Sequence, residues 1–128
     1  MKEKQMTKVF FFDTYSLIEI GKNNPGYEPY KKNVKIFISM LNLMELAYFL
    51  IRENRENEIE EIFNKLSGFA VSYNKEILIN AAKMKHQYKI EKLSYIDCIG
   101  YLLAKQHNIK FLTGDEKFRN KENVEFVK

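Results

Sequence analysis

The chain has 128 residues, 45% of them apolar with ten Phe and eight Tyr, which is enough for a single domain over 1–128 with a substantial core. No run approaches the roughly 20 apolar residues of a membrane span and the N-terminus has no apolar signal core, so a cytoplasmic location without membrane contact is expected. The one cysteine, Cys98, excludes an internal disulfide and a thiolate metal cluster, and the net charge of +4 names no partner by itself.

Residues 1–7 are charged and polar and read as a frayed leader. Lys8 to Phe12 is a short, continuously apolar run that fits a strand buried on both faces, closed by Asp13. Thr14 to Lys22 then reads as a helix with Gly21 near its end. Asn23 to Pro29 holds both prolines and is the clearest loop. Val34 to Met40 is a second strand, and a helix opening at Leu41 or Asn42 runs to Ile51. Glu58 to Leu66 has Ile59, Ile62, Phe63 and Leu66 on one face and is stopped by Gly68. Phe69 to Ser72 reads as a short strand, followed by a helix from Lys75 to about Tyr88. A further helix is capped by Ser94 and closed by His107 and Asn108. The strand Ile109 to Leu112 follows it, and Val124 to Val127 is a last strand. Strands alternating with helices predict an α/β protein, a three-layer α/β/α sandwich around a mostly parallel sheet.

The chemistry is placed at the joints. Asp13 follows the first strand, Glu45 lies in the first turn of the helix after the second, Asp97 lies in the first turn of a later helix, and Asp115 follows another strand. In a parallel sheet these joints share one edge, where ligands bind. Each acid alone has an ordinary alternative duty: Asp13 can cap a helix, Asn42 with Glu45 and Ser94 with Asp97 match capping boxes, and Asp115 can shape a turn at Gly114. Together they resist ionising unless a cation sits among them. Oxygen donors alone favour Mg²⁺ or Mn²⁺ over zinc, and such an ion can activate water against a phosphodiester. With these acids gathered in one cleft, the remaining surface would be more basic than the net charge suggests and would suit a polyanion.

At this point the motifs resemble a known family. Val9 to Ser16, Ile38 to Leu46, Tyr95 to Gly100 and Phe111 to Phe118 look like the successive motifs of the PIN domain, the family of the VapC toxins of prokaryotic toxin–antitoxin pairs. The resemblance implies that Asp13, Glu45, Asp97 and Asp115 hold Mg²⁺ or Mn²⁺, with Ser16 and Thr113 in supporting hydrogen bonds. It also implies a ribonuclease acting on single-stranded RNA, commonly a homodimer, held inactive by a small antitoxin. The short, proline-containing link before the second strand departs from the family, which often has more helix there.

Other residues carry less. His86 and His107 read as surface or capping residues. Lys31, Lys32, Lys35, Arg52, Lys117, Arg119 and Lys121 can contact phosphates or simply be solvated, and Tyr15, Tyr27 and Tyr30 can stack on bases or pack. A haloacid dehalogenase-type phosphatase would need Asp where Tyr15 stands. A receiver domain would need an acceptor Asp, which Ser72-Tyr73-Asn74 lacks. The remaining alternative is a PIN-like domain that binds RNA or a protein without cutting.

Overall fold

The computed structural model describes residues 7–128, so all but Thr7 of the expected leader lies outside the described residues. Strands β1 (Lys8–Phe12), β2 (Val34–Phe37), β3 (Lys110–Thr113) and β4 (Val124–Phe126) form one all-parallel sheet in the order β2-β1-β3-β4. Around it run α1 (Thr14–Gly21), α2 (Met40–Arg52), α3 (Ile59–Leu66), α4 (Lys75–Gln87) and α5 (Tyr95–Gln106). The result is the expected three-layer α/β/α sandwich.

The period-2 alternation of strand side chains assigns the two faces. Phe11 and Phe111 point to one side, stacked with ring centroids 6.0 Å apart, and pack under α4 and α5 with Ile77, Ala81, Leu103 and Phe118. Phe10, Phe12 and Leu112 point to the other, against Leu17 of α1 and Leu43, Leu46 and Leu50 of α2. Ile59, Ile62, Phe63 and Leu66 of α3 close that layer from outside. Cys98 is fully buried in the first layer, where burial pushes its thiol up to about 11, so it packs as an apolar residue.

Topology fixes where the site can be. From β1 the chain moves to one side to form β2, then crosses back to β3 and onward to β4. The connections therefore diverge between β1 and β3, which makes the crevice at their C-terminal ends the switch point of the sheet. Asp13 and Asp115 are at those two ends.

Local structure departs from expectation in four places. Residues 69–72 form no strand: Ser67–Phe69 is a 3₁₀ turn, and Ala70 makes a single bridge to Ile38. The ladder cannot extend because Ser39, directly after Ile38, turns away to cap α2. For the same reason β2 stops at Phe37 and α2 begins at Met40. The proline loop is wound into a 3₁₀ segment, Pro25–Tyr30, that buries Tyr27 completely. Finally, the left-handed positions after helices fall on Asn23, Asn54 and Asn108 and no glycine has positive φ, so neither Gly21 nor Gly68 provides a left-handed helix stop.

Candidate active site

Asp13, Glu45, Asp97 and Asp115 line one open cleft of about 250 Å³, together with Thr14, Tyr15, Ile18, Tyr48, Phe49 and Arg52. Three of the four acids also serve as caps. Asp13 Oδ1 accepts from Ser16 N at 2.8 Å at the start of α1, and Asp97 Oδ2 accepts from Ser94 N at 3.0 Å in a capping box on α5. Asp115 Oδ1 accepts from Lys117 N at 3.0 Å and starts a 3₁₀ turn. Capping and cleft-lining thus coexist in the same side chains, because the helix N-terminus that needs an acceptor is also the edge of the cleft.

Glu45 is different. The expected capping box between Asn42 and Glu45 does not form, because Ser39 and Asn42 cap α2 between themselves, with Asn42 Oδ1 accepting from Ser39 N at 3.0 Å. Because α2 begins at Met40, Glu45 lies in its second turn and not in the expected first, and its carboxylate Oε1 accepts from the Thr14 hydroxyl instead. Thr14 in turn accepts from Asn42 Nδ2 at 3.2 Å, so one chain of hydrogen bonds ties the start of α1 to α2. Sequence reasoning did not assign Thr14 or Asn42 to the site. The available signal was position: Thr14 follows Asp13 directly, and Asn42 lies one helical step before Glu45 on the same face.

Ser16 and Thr113, expected in supporting roles, are both fully buried. The Ser16 hydroxyl donates to the Asp13 carbonyl at 2.8 Å. Thr113 neighbours the Asp13 carboxyl and opposes the rise of its pKa, and its Oγ1 accepts from Asp115 N at 3.0 Å, so it meets the acids that follow both β1 and β3 at their crossing. Gly114 allows this crossing. A Cβ there would meet Tyr15 Cε1 and the Val127 carbonyl oxygen, both at 2.3 Å, far inside contact distance.

Burial dominates the electrostatics. Asp13 is 4% exposed, and desolvation pushes its carboxyl from 3.8 up to about 7, against the opposing pull of Thr113 and the Ser16 hydrogen bonds. Burial also raises Asp97, with Ser94 opposing and the charge of Asp115 adding to the rise, and raises Glu45, with Thr14 opposing. Among the described residues no Lys, Arg or His side chain forms an ion pair with any of the four. The donor set is all oxygen, partly desolvated and lacking paired cations, which fits a hard divalent ion and not zinc. As they stand, no three Asp, Glu, His or Cys side chains among the described residues are gathered tightly enough to coordinate one ion. Glu45, Asp97 and Asp115 each keep a second carboxylate oxygen free of protein hydrogen bonds among the described residues.

Of the other expected contacts, Arg52 is on the rim of the cleft with its guanidinium 5.0 Å above the Tyr48 ring. Lys31 and Arg119 are paired with Glu28 and Glu116. Tyr27 cannot stack on a base, since it is fully buried and its hydroxyl donates to the Val127 carbonyl. Tyr30 donates to Glu125 Oε2 at 2.6 Å, whereas Tyr15 lines the cleft. His107 packs edge-on to Phe37, 5.1 Å between centroids.

A family model described as the PIN domain matches residues 10–124. No curated protein matches the chain. Among solved structures, a chain of a toxin–antitoxin complex from Klebsiella pneumoniae superposes with a TM-score of 0.71 at 20% identity, covering 90% of this chain and 94% of that one. VapBC-1 from nontypeable Haemophilus influenzae gives a TM-score of 0.68 at 16% identity, covering 92% and 96%. VapBC2 from Rickettsia felis, solved bound to a DNA fragment from its promoter, gives 0.66 at 17% identity, covering 94% and 99%. Identities this low establish a shared fold, while the family match runs from the first strand to the last, and on that ground the chain belongs to the PIN domain family.

Proposed function

We propose that this protein is a divalent-metal-dependent endoribonuclease acting on single-stranded RNA, and the toxin of a toxin–antitoxin pair. The observation that carries the reading is the set of four carboxylates at the switch point of a PIN fold, three of them driven toward protonation by burial with no paired cation beside them. Asp13, Glu45, Asp97 and Asp115 would hold Mg²⁺ or Mn²⁺ once drawn closer together, with Glu45, Asp97 and Asp115 offering the carboxylate oxygens that no protein group among the described residues occupies. A bound ion would supply a water of lowered pKa as nucleophile and would stabilise charge on the phosphoryl oxygens.

The chain's own residues set the geometry. Thr113 and Ser16 fix the Asp13 carboxyl at the floor of the cleft, and Thr14 orients Glu45. Arg52 on the rim offers a guanidinium to an approaching phosphate. The cleft is open, so an unpaired strand can enter it without unwinding.

A protein partner has a surface to use. Met40, Met44, Tyr48 and Ile51 recur along α2 as an exposed apolar stripe, and Tyr48 also lines the cleft. Such a stripe favours a homodimer contact or a small antitoxin reaching over the acids. No helix among the described residues is long and apolar enough to cross a membrane, and a cytoplasmic location suits an RNA substrate. We take residues 1–128 as one nuclease domain.

The test is incubation of the purified protein with an unstructured RNA in Mg²⁺ or Mn²⁺. Cleavage that disappears with EDTA and falls at least about 100-fold in Asp97→Asn is the expected result. RNA left intact under every metal condition would favour the non-cutting RNA-binding or interaction domain.

A further inference from the structure

Beyond the carboxylates, the turn from α4 to α5 builds a second cleft. It is open, of about 360 Å³, and is lined by Ala82, Lys85, His86, Lys89, Lys92 and Tyr95. Ala82 and His86 are one helical turn apart on α4, Lys89 lies in the turn beyond it, Lys92 is held at φ 58 in the same turn, and Tyr95 opens α5. No carboxylate lines this cleft, and among the described residues none of its lysines has an acidic partner. Lys85 Nζ is anchored to the Leu93 carbonyl at 2.6 Å and lies 5.0 Å over the Tyr95 ring. Tyr95 is nevertheless 60% exposed, so a cation backs an aromatic ring that solvent still reaches.

The first turn of α5 separates this cleft from the candidate active site, with which it shares no lining residue. Lys117 Nζ donates to the Lys92 carbonyl at 3.3 Å, while Lys117 N donates to Asp115 Oδ1 at 3.0 Å, so one residue spans from the basic turn to an acid of the site. Tyr95 and Asp97 share the first turn of α5.

We propose that this basic turn is a subsite for the part of a single-stranded RNA that lies outside the carboxylate cleft. In it, Lys89 and Lys92 contact phosphates and Tyr95 stacks on a base. The assignment rests on the nuclease reading for its choice of ligand. A ring available for stacking beside unpaired cations is the pairing that single-strand binders use, and an acidic polypeptide would have use only for the lysines.

The test measures binding of a short labelled unstructured RNA by anisotropy in EDTA, so that no strand is cut. Lys89→Gln with Lys92→Gln is compared with a control, Lys8→Gln with Lys65→Gln, which removes equal charge from exposed positions outside both clefts. The patch pair should flatten the dependence of log K on log salt by about 1.4, at roughly 0.7 per phosphate contact on a single strand, and the control pair should not. Tyr95→Leu should weaken binding about fivefold or more. Equal losses in both pairs, wild-type affinity in the patch variants, or competition by polyglutamate as effective as that by RNA would overturn the subsite. The two readings fail separately: patch-dependent binding with no cleavage in metal would remove the nuclease and leave the subsite. Cleavage with patch-independent binding would do the reverse.

Discussion

At the scale of single residues, the Thr14 hydroxyl has an unusual workload: it donates to Glu45 Oε1 and accepts from Asn42 Nδ2. Replacing it with Val keeps the shape and removes both bonds. Thr14→Val should therefore reduce RNA cleavage by about 10- to 100-fold, as loss of a ligand-orienting partner typically does, while a thermal melt shows the fold retained. Thr14→Ser should restore most of the rate, and a Thr14→Val enzyme as active as wild type would remove Thr14 from the site. Asp13, Asp97 and Asp115 stood out in the sequence because each is at a strand or helix boundary, whereas Glu45, in the second turn of α2, stood out because the helix start was expected at Leu41 or Asn42. Thr14 did not, because a threonine after a capping Asp is also what an ordinary helix start contains. Tyr27 failed as a stacking residue for a related reason: a tyrosine in a proline-rich loop gives no sign that the loop winds into a 3₁₀ turn and buries it.

At the scale of elements, helix α5 presents Asp97 because of two features, each three residues from it, the N-cap Ser94 before and Gly100 after. Ser94 Oγ accepts from Asp97 N at 3.0 Å, completing the capping box. Gly100 lets the helix lie directly on the sheet, since a Cβ there would stand 2.8 Å from Phe11 Cε1 and 3.2 Å from Phe111 Cε1. Gly100→Ala should destabilise the protein by about 1–3 kcal/mol in denaturant unfolding, because rings stacked between β1 and β3 have little room to move. Ser94→Ala should cost about 1 kcal/mol. A neutral Gly100→Ala would contradict this packing. Helices were the easier elements to read, since the apolar stripes of α2, α4 and α5 span three turns or more. The 69–72 segment misled because a short run holding Phe69 and Val71 looks alike whether or not a neighbouring strand has length left to pair with it.

At the scale of the whole molecule, the crevice between β1 and β3 concentrates carboxylates in a chain of net charge +4. The folded pKa of Asp13, about 7, lies above its ordinary 3.8, so between those values the folded chain holds a proton that the unfolded chain has lost. Asp13 thus contributes stability that is full below pH 3.8 and is lost as pH rises through about 7, with Asp97 and Glu45 shifted in the same direction. A divalent ion bound there would reverse the penalty by favouring the charged forms. The sheet order that creates this crevice was beyond sequence reading, since strand patterns fix faces but not neighbours.

The most direct test of the central claim is therefore calorimetric titration of Mn²⁺ into wild type and Asp97→Asn at pH 6 and pH 8, on either side of the Asp13 value of about 7. A metal held by the carboxylate cleft should give saturable binding that tightens from pH 6 to pH 8 and is lost or at least about tenfold weaker in Asp97→Asn. Absence of Mn²⁺ binding at pH 8, or binding indifferent to Asp97, would contradict the claim.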